Sequence, residues 1–226
     1  MSFLRPIAIL GAIAFVLAAI PSGAIAKSGD EKPQVVVDGA VTVLNDFAAD
    51  DKMTWFRDHV QSAEAIVIVP SLVKAGFILG ASGGNAVVMT RKARSWSHPA
   101  FYTMGSASFG LQAGVQDAQV ILLVMTEKGR NALLSNKFQL GADASVAAGP
   151  VGGGAQAATS DILSFSRAQG VFGGLSIEGA VISVRDGYNG SYYSEGTQPV
   201  DILVTRNKVN KGAEKLRVTA AEVAGR

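Results

Sequence analysis

Lys74 stands directly ahead of a glycine-rich stretch, KAGFILGASGGN (74–85), the residue types from which phosphate-cradling loops are built. The order argues against nucleotide chemistry. A P-loop runs glycines first, then Lys and Ser/Thr opening a helix; here the lysine leads and the β-branched pair Val87-Val88 follows. The segment reads instead as a strand, a glycine-rich turn and a second strand. Ser71 and Lys74 match the S-x-x-K spacing of penicillin-binding enzymes, and Lys27-Ser28-Gly29 resembles their third motif. The two come in the wrong order, the Ser-Asp-Asn element is missing, and no G-x-S-x-G elbow exists. His59 and His98 are the only histidines and lack metal-protease spacing. The chain has no cysteine, which excludes disulfides, thiol catalysis and thiolate metal sites. Neither a metal nor a cofactor is expected. Glu178, in GGLSIEGAV, reads as a carboxylate inside an apolar strand. A buried carboxylate must be paired or have a raised pKa, so Arg167 or Arg185 is its expected partner. A hydrolase built around Glu178 is the remaining enzymatic alternative; the expectation is a non-enzyme.

The elements that would hold these residues follow from periodicity. Val37, Ala40, Val41, Leu44 and Phe47 share one helical face, with Asp30 as a cap and Pro33 in the first turn. DDKMTWFRDHVQSAEA reads as a second short helix, and AIVIVP as a buried strand stopped by Pro70. In FYTMGSASFGLQAG, Phe101, Ala107, Phe109, Leu111 and Ala113 share one face. QVILLVM is a strand covered on both faces, and TEKGRNALLSN a helix capped by Thr126. FQLGADASVAAG alternates from Phe138 to Ala148. Two or three strands follow, with turns at Gln169-Gly170 and Asn189-Gly190. The chain closes in helix, with Val209, Ala213, Leu216, Ala220 and Val223 as an apolar stripe beside Lys208, Lys211 and Lys215. Glycines placed in and around strands mark coiling and close approach. The predicted fold is therefore α+β: a curved, mainly antiparallel glycine-rich sheet or partly closed barrel, flanked by N- and C-terminal helices.

The first 26 residues place Arg5 before an apolar run from Ile7 to Ile20, then Pro21, Gly23 and Ala24-Ile25-Ala26, the small-x-small pattern of a cleaved export signal. Residues 27–34 form a polar leader and 35–226 one domain. Lacking cysteine, the protein is not a lipoprotein; it is expected to be periplasmic or secreted. The formal net charge of +2 argues against general nucleic-acid binding, which wants a strongly basic domain. Attraction to anions must come from local patches. Lys74, Arg91, Lys92 and Arg94 form one; Lys208, Lys211 and Lys215, with Arg206 and Arg217 nearby, form a second. Along a strand Arg91 points opposite to Lys92 and Arg94, so the latter two are expected to act together.

The ordered blocks SAEAIVIVPSLVKAGFILGASGGN, WSHPAFYTMGSASFGLQAG, VILLVM, FQLGADASVAAGP, FSRAQGVFGGLSIEGA and YYS resemble the SYLF, or Ysc84-like, domain from about residue 35 to 222. The resemblance implies lipid binding: eukaryotic relatives carry this domain beside SH3 or FYVE modules and bind phosphoinositides, and the fungal ones also bind actin. Ile78 and Asn85 interrupt a stretch the family makes richer in glycine and base, and Phe165-Ser166 replaces its usual Tyr-Ser. Lys74, Arg91, Lys92 and Arg94, then Lys208, Lys211 and Lys215, are the candidate contacts to an anionic phospholipid or membrane surface. The alternative is an envelope structural or adaptor protein binding a protein partner through exposed strand edges.

Overall fold

A computed structural model describes residues 32–76, 79–93, 95–109, 114–149, 160–168, 171–173 and 177–225. Helix α1 (Pro33–Ala49) opens on its proline and buries Val37, Ala40, Val41, Leu44 and Phe47, as the 3.6-residue period requires. Asp30, its expected cap, lies outside the described residues. A 3-10 turn (Asp51–Met53) leads into α2 (Thr54–Val60).

The strands are β1 (Ala65–Gly76), β2 (Leu79–Lys92), β3 (Ser95–Trp96), β4 (Ala100–Phe109), β5 (Gly114–Val124), β6 (Lys137–Gln139), β7 (Val146–Ala148), β8 (Ile162–Ala168), β9 (Val171–Gly173) and β10 (Val181–Val184). They form one sheet of order β6-β10-β4-β2-β1-β5-β8-β7, with β3 on β2 and β9 on β8. Among these pairings only β7 with β8 is parallel. Among the described residues the strands are interrupted or followed by the α-helices α3 (Glu127–Leu133), α4 (Asp186–Tyr192), α5 (Pro199–Leu203) and α6 (Glu214–Ala224).

The connections force the sheet to curl. Eight strands laid flat would hold their outer members about 33 Å apart at ~4.8 Å per step. Yet β6 and β7, the two ends of that order, are joined by residues 140–145 alone, a link of at most ~25 Å when extended. The link is not extended, because Gly141 N–H donates to Ala144 O at 2.8 Å. Phe138 of β6 and Ile162 of β8 therefore meet in one inner core with Val67, Tyr102, Leu122 and Ile202. The outer face packs Ile66, Ile68, Val87, Phe101, Ile121 and Leu123 beneath α1, α2 and α6. Residues 65–69 of β1 and 120–124 of β5 are buried on both faces, which is why VILLV reads as an unbroken apolar run.

Four expectations need correction. Pro70 does not stop β1. The register shifts between Ile68 and Val73 toward β2 and between Val69 and Leu72 toward β5, so Pro70 lies in a bulge where a missing N–H leaves no ladder bond broken. The Phe138–Ala148 alternation is not one strand; a turn at 141–143, with Gly141 at φ +87°, splits β6 from β7 and exposes Ala142. Asn189-Gly190 is no hairpin turn but part of α4. Asn189 is fully buried, accepting from Phe101 N–H at 2.8 Å and donating to Phe101 O at 3.2 Å, so its amide stands in for a strand partner. Val209 is exposed and precedes the last helix, so the apolar stripe of α6 is Leu216, Ala220 and Val223, with Ala213 just ahead.

Thr126 caps α3 as expected, accepting from Gly129 N–H at 3.1 Å. Its hydroxyl also donates to Asp161 at 2.6 Å; Ser145 adds a backbone N–H at 3.0 Å and a hydroxyl at 2.8 Å, and Lys128 lies at 3.3 Å. Asp161 thereby pins α3 to the start of β8 and the chain entering β7. The Thr126 hydrogen bond, helped by Ser145 and Lys128 against the opposing effect of burial, holds its carboxyl well below the usual range. Asp161→Ala is expected to cost about 2–4 kcal/mol in denaturant unfolding, because several charge-assisted bonds vanish at once. A depressed native pKa stabilises the fold above the unfolded value near 4, and that share fades as pH falls below it. The wild-type excess over the alanine variant should therefore shrink between pH 5 and pH 2, to the order of a titration rather than of lost packing.

Candidate functional site, a basic end drawn from two distant stretches

Strand β2 ends in Arg91 and Lys92, turns through Ala93 at φ +55°, and returns as β3 with Arg91 opposite Trp96 and Lys92 opposite Ser95. Arg91 Nε donates to Ala93 O at 3.0 Å, which folds its side chain over the turn; Lys92 is exposed. Arg94 lies outside the described residues. After α5, Thr90 Oγ1 donates to Leu203 O at 2.6 Å. Three residues on, Arg206 sits at φ +57° and reaches back to the same hairpin, donating to Ser95 O at 3.2 Å and Thr90 O at 3.1 Å. Burial, with Arg217 adding to it, lowers the Arg206 pKa.

The chain then runs along the far side of β3. Asn210 N–H donates to His98 Nδ1 at 3.3 Å, and Asn210 Nδ2 to Tyr192 O at 2.6 Å. Tyr193 hydroxyl donates to Pro99 O at 2.7 Å, and Tyr192 hydroxyl to Gln34 at 2.9 Å. Burial, with Asp38 nearby, pushes Tyr192 up to about 12, and burial followed by Tyr192 pushes Tyr193 higher still, so both remain neutral donors. The Tyr-Tyr-Ser motif is thus the anchor of the C-terminal segment: Lys208 Nζ donates to Ser194 Oγ at 2.8 Å. Arg217 Nε closes the layer, donating to Trp96 O at 3.1 Å while its Nη1 pairs with Glu214 Oε1 at 2.8 Å. His98 is buried, and burial followed by Arg217 lowers its pKa against the pull of Glu214. It therefore receives at Nδ1 and faces Glu214 with Nε2–H at 3.5 Å as a neutral ring rather than a charged partner.

The two basic stretches read separately in the sequence are thus one end of the molecule. Its segments carry Arg91, Lys92, Arg206, Lys208, Lys211, Lys215 and Arg217 against Glu214. Lys92, Lys211 and Lys215 are exposed. Arg206, which stitches the halves together, has no signal in the sequence: a non-glycine residue in left-handed backbone is visible only in the fold. Lys74 does not join them. It pairs in register with Ser82 of β2, about 30 Å from Arg91 at ~3.3 Å per residue.

Glu178 lies in an exposed turn rather than inside a strand, and neither expected partner meets it. Arg167 pairs with Asp46 of α1, and Arg185 bonds to Asn85 and lies 3.7 Å over the Tyr188 ring. Ser71 donates to Asp117 at 2.8 Å, not to Lys74. His59 stacks on Trp55 within α2. No group of three metal-ligating side chains occurs among the described residues.

Comparison with known proteins finds a family match and several relatives. Residues 105–223 match the family described as Ysc84, Las17-binding protein actin regulator. The chain is 29% identical over 199 residues to Protein YSC84 of Saccharomyces cerevisiae, covering 84% of this chain and 42% of that one. It is 28% identical over 189 residues to LAS seventeen-binding protein 3 of the same yeast, covering 80% and 40%. To the human SH3 domain-containing YSC84-like protein 1 it is 24% identical over 152 residues, covering 64% and 44%. It spans less than half the length of these relatives.

Proposed function

Since the chain belongs to the Ysc84 family, we propose that it is a non-enzymatic binding domain whose basic end docks on an anionic phospholipid surface of the cell envelope. The observation that carries this reading is the pair of Arg206 hydrogen bonds to Thr90 and Ser95. They lay the 206–217 segment against the β2–β3 hairpin and concentrate charge on a chain whose net charge is only +2. Local concentration of this kind attracts a charged bilayer within a Debye length and does little beyond it. Co-flotation with vesicles of phosphatidylcholine and phosphatidylglycerol tests it. Binding should rise with the anionic fraction and fall as sodium chloride passes from 50 to ~300 mM. Binding indifferent to both would end the proposal.

A protein-binding reading draws on the names of the relatives, two of which are Las17-binding or SH3-containing proteins. It predicts no vesicle association and a salt-insensitive protein complex.

Residues 1–26 are proposed to direct export and to be removed after Ala26, on the order of Arg5, apolar run and Ala-Ile-Ala. The intact mass of protein from the envelope fraction should match a chain beginning at Lys27. A mass that includes Met1 would make the segment an anchor.

A further inference from the structure

Strand β4 is paired on one side by β2 from Ala100 through Phe109 but on the other by β10 only as far as Gly105. Before Val181 the chain swings away. Gly179 at φ +82° turns it, Gly179 N–H donates to Leu140 O at 2.9 Å, and Leu140 N–H donates to Ala180 O at 2.9 Å. The residues that would continue β10 are thus spent on the β6 side. Among the described residues no strand takes their place beside Ser106–Phe109, and none supplies a backbone partner to the alternate N–H and C=O groups that face outward there. A cleft of about 560 Å³ opens at the same point, lined by Gly83, Thr103, Gly105, Ala107, Val181 and Ser183.

We propose that this edge of β4 takes up an extended segment of a partner protein as an added antiparallel or parallel strand, with alternate apolar side chains set into the cleft. Natural edges are blunted by charge or proline. Among the described residues, the β5 edge at the same end of the sheet obeys that rule: β5 has no β8 partner before Ala118 and carries Asp117 there, bonded to Ser71. The β4 edge does not. From Pro99 to Gln116 the sequence has no charged residue. An uncharged occupant is therefore the complementary one, and a lining in which glycine, alanine, valine and methionine outnumber the hydroxyls of Thr103, Ser106 and Ser183 favours apolar side chains. The pairing is about four residues, or ~13 Å, long. That falls well short of the ~800 Å² per partner a stable folded dimer needs, yet suffices for a peptide strand whose side chains also fill a pocket. This surface lies at the opposite end of β2 from the basic residues, so the two sites are independent.

The test pans a display library of random octapeptides against the full chain, with Gly83→Leu as counter-selection. A Cβ at Gly83 meets nothing within 4 Å, so a leucine there is expected to enter the cleft, and an unchanged thermal midpoint checks that the fold is kept. Selected peptides should carry apolar residues at alternate positions and bind Gly83→Leu at least tenfold more weakly. A synthetic representative should slow exchange of the amides in Ser106–Phe109 that face away from β2 at least tenfold, and N-methylation of its alternate amides should abolish this. Selection that fails to separate wild type from Gly83→Leu overturns the proposal. So does strong protection of these amides in the free chain. Concentration-dependent protection would assign the edge to a second copy, and concentration-independent protection to another segment of this chain.

Discussion

Reversing the charge at Lys92, Lys211 and Lys215 together is expected to lower affinity for anionic vesicles at least ~100-fold while leaving the melting temperature within a degree or two. The three are exposed, and no hydrogen bond among the described residues rests on their ammonium groups, unlike Lys208, Arg206 and Arg217, which hold the chain in place. Each basic side chain near a charged bilayer contributes about 1 kcal/mol. Reversal removes that attraction and adds a repulsion, so three positions amount to at least ~3 kcal/mol, or two decades. Surface substitutions of this kind barely alter stability. Lys74→Glu supplies the comparison. Lying about 30 Å along the sheet from Arg91, several Debye lengths at physiological salt, it should change affinity less than ~3-fold. Equal losses in the triple variant and in Lys74→Glu would show that position on the molecule is irrelevant, and the docking face would have to be sought elsewhere.

How much of this was legible beforehand depends on the range of the forces involved. The α1 stripe, the Thr126 cap and the two-faced burial of β5 are local consequences of periodicity and capping, and each is where the sequence puts it. The curl was legible in kind, from glycines among strands, but its closure follows from six residues joining β6 to β7, a fact of topology rather than composition. Pro70 misled because a proline read locally ends a strand, whereas two neighbouring strands can carry it as a bulge. Asn189-Gly190 misled for a related reason: the strongest hairpin dipeptide forms no hairpin when the following chain has its own helix and the asparagine amide is claimed by Phe101, 88 residues away. The basic site shows the same division. Both charged stretches stand out by composition, but their union rests on Arg206 bonding to a carbonyl 116 residues earlier. Lys74, nearer in sequence to Arg91 than Arg206 is, belongs to a different end.

Two adjacent glycines should separate sharply in stability, and that contrast tests the bulge on which this end of the sheet depends. At Gly84 a Cβ would stand 2.3 Å from Ser71 O, 3.0 Å from Val69 Cγ1 and 3.2 Å from Leu72 Cα. Two of those three atoms are backbone, and they belong to the segment where β1 shifts register around Pro70. A carbonyl in a bulge has no flexible end to move aside, so Gly84→Ala must push β1 and β2 apart or flatten the bulge. Overpacking of this kind costs about 3 kcal/mol or more when backbone must shift, which for a domain of this size lowers Tm by roughly 6–12 °C. At Gly83, one residue earlier and on the other face, the added methyl meets nothing within 4 Å. Gly83→Ala should be neutral or should stabilise by up to ~1 kcal/mol, since alanine narrows the unfolded ensemble. The measurement is a pair of thermal scans on single-methyl variants that differ only in which face of β2 receives the carbon. Similar shifts in both would mean that Ser71 O does not approach β2 as described. The register of the β1–β2 hairpin, and with it the placement of Lys74 far from Arg91, would then have to be redrawn.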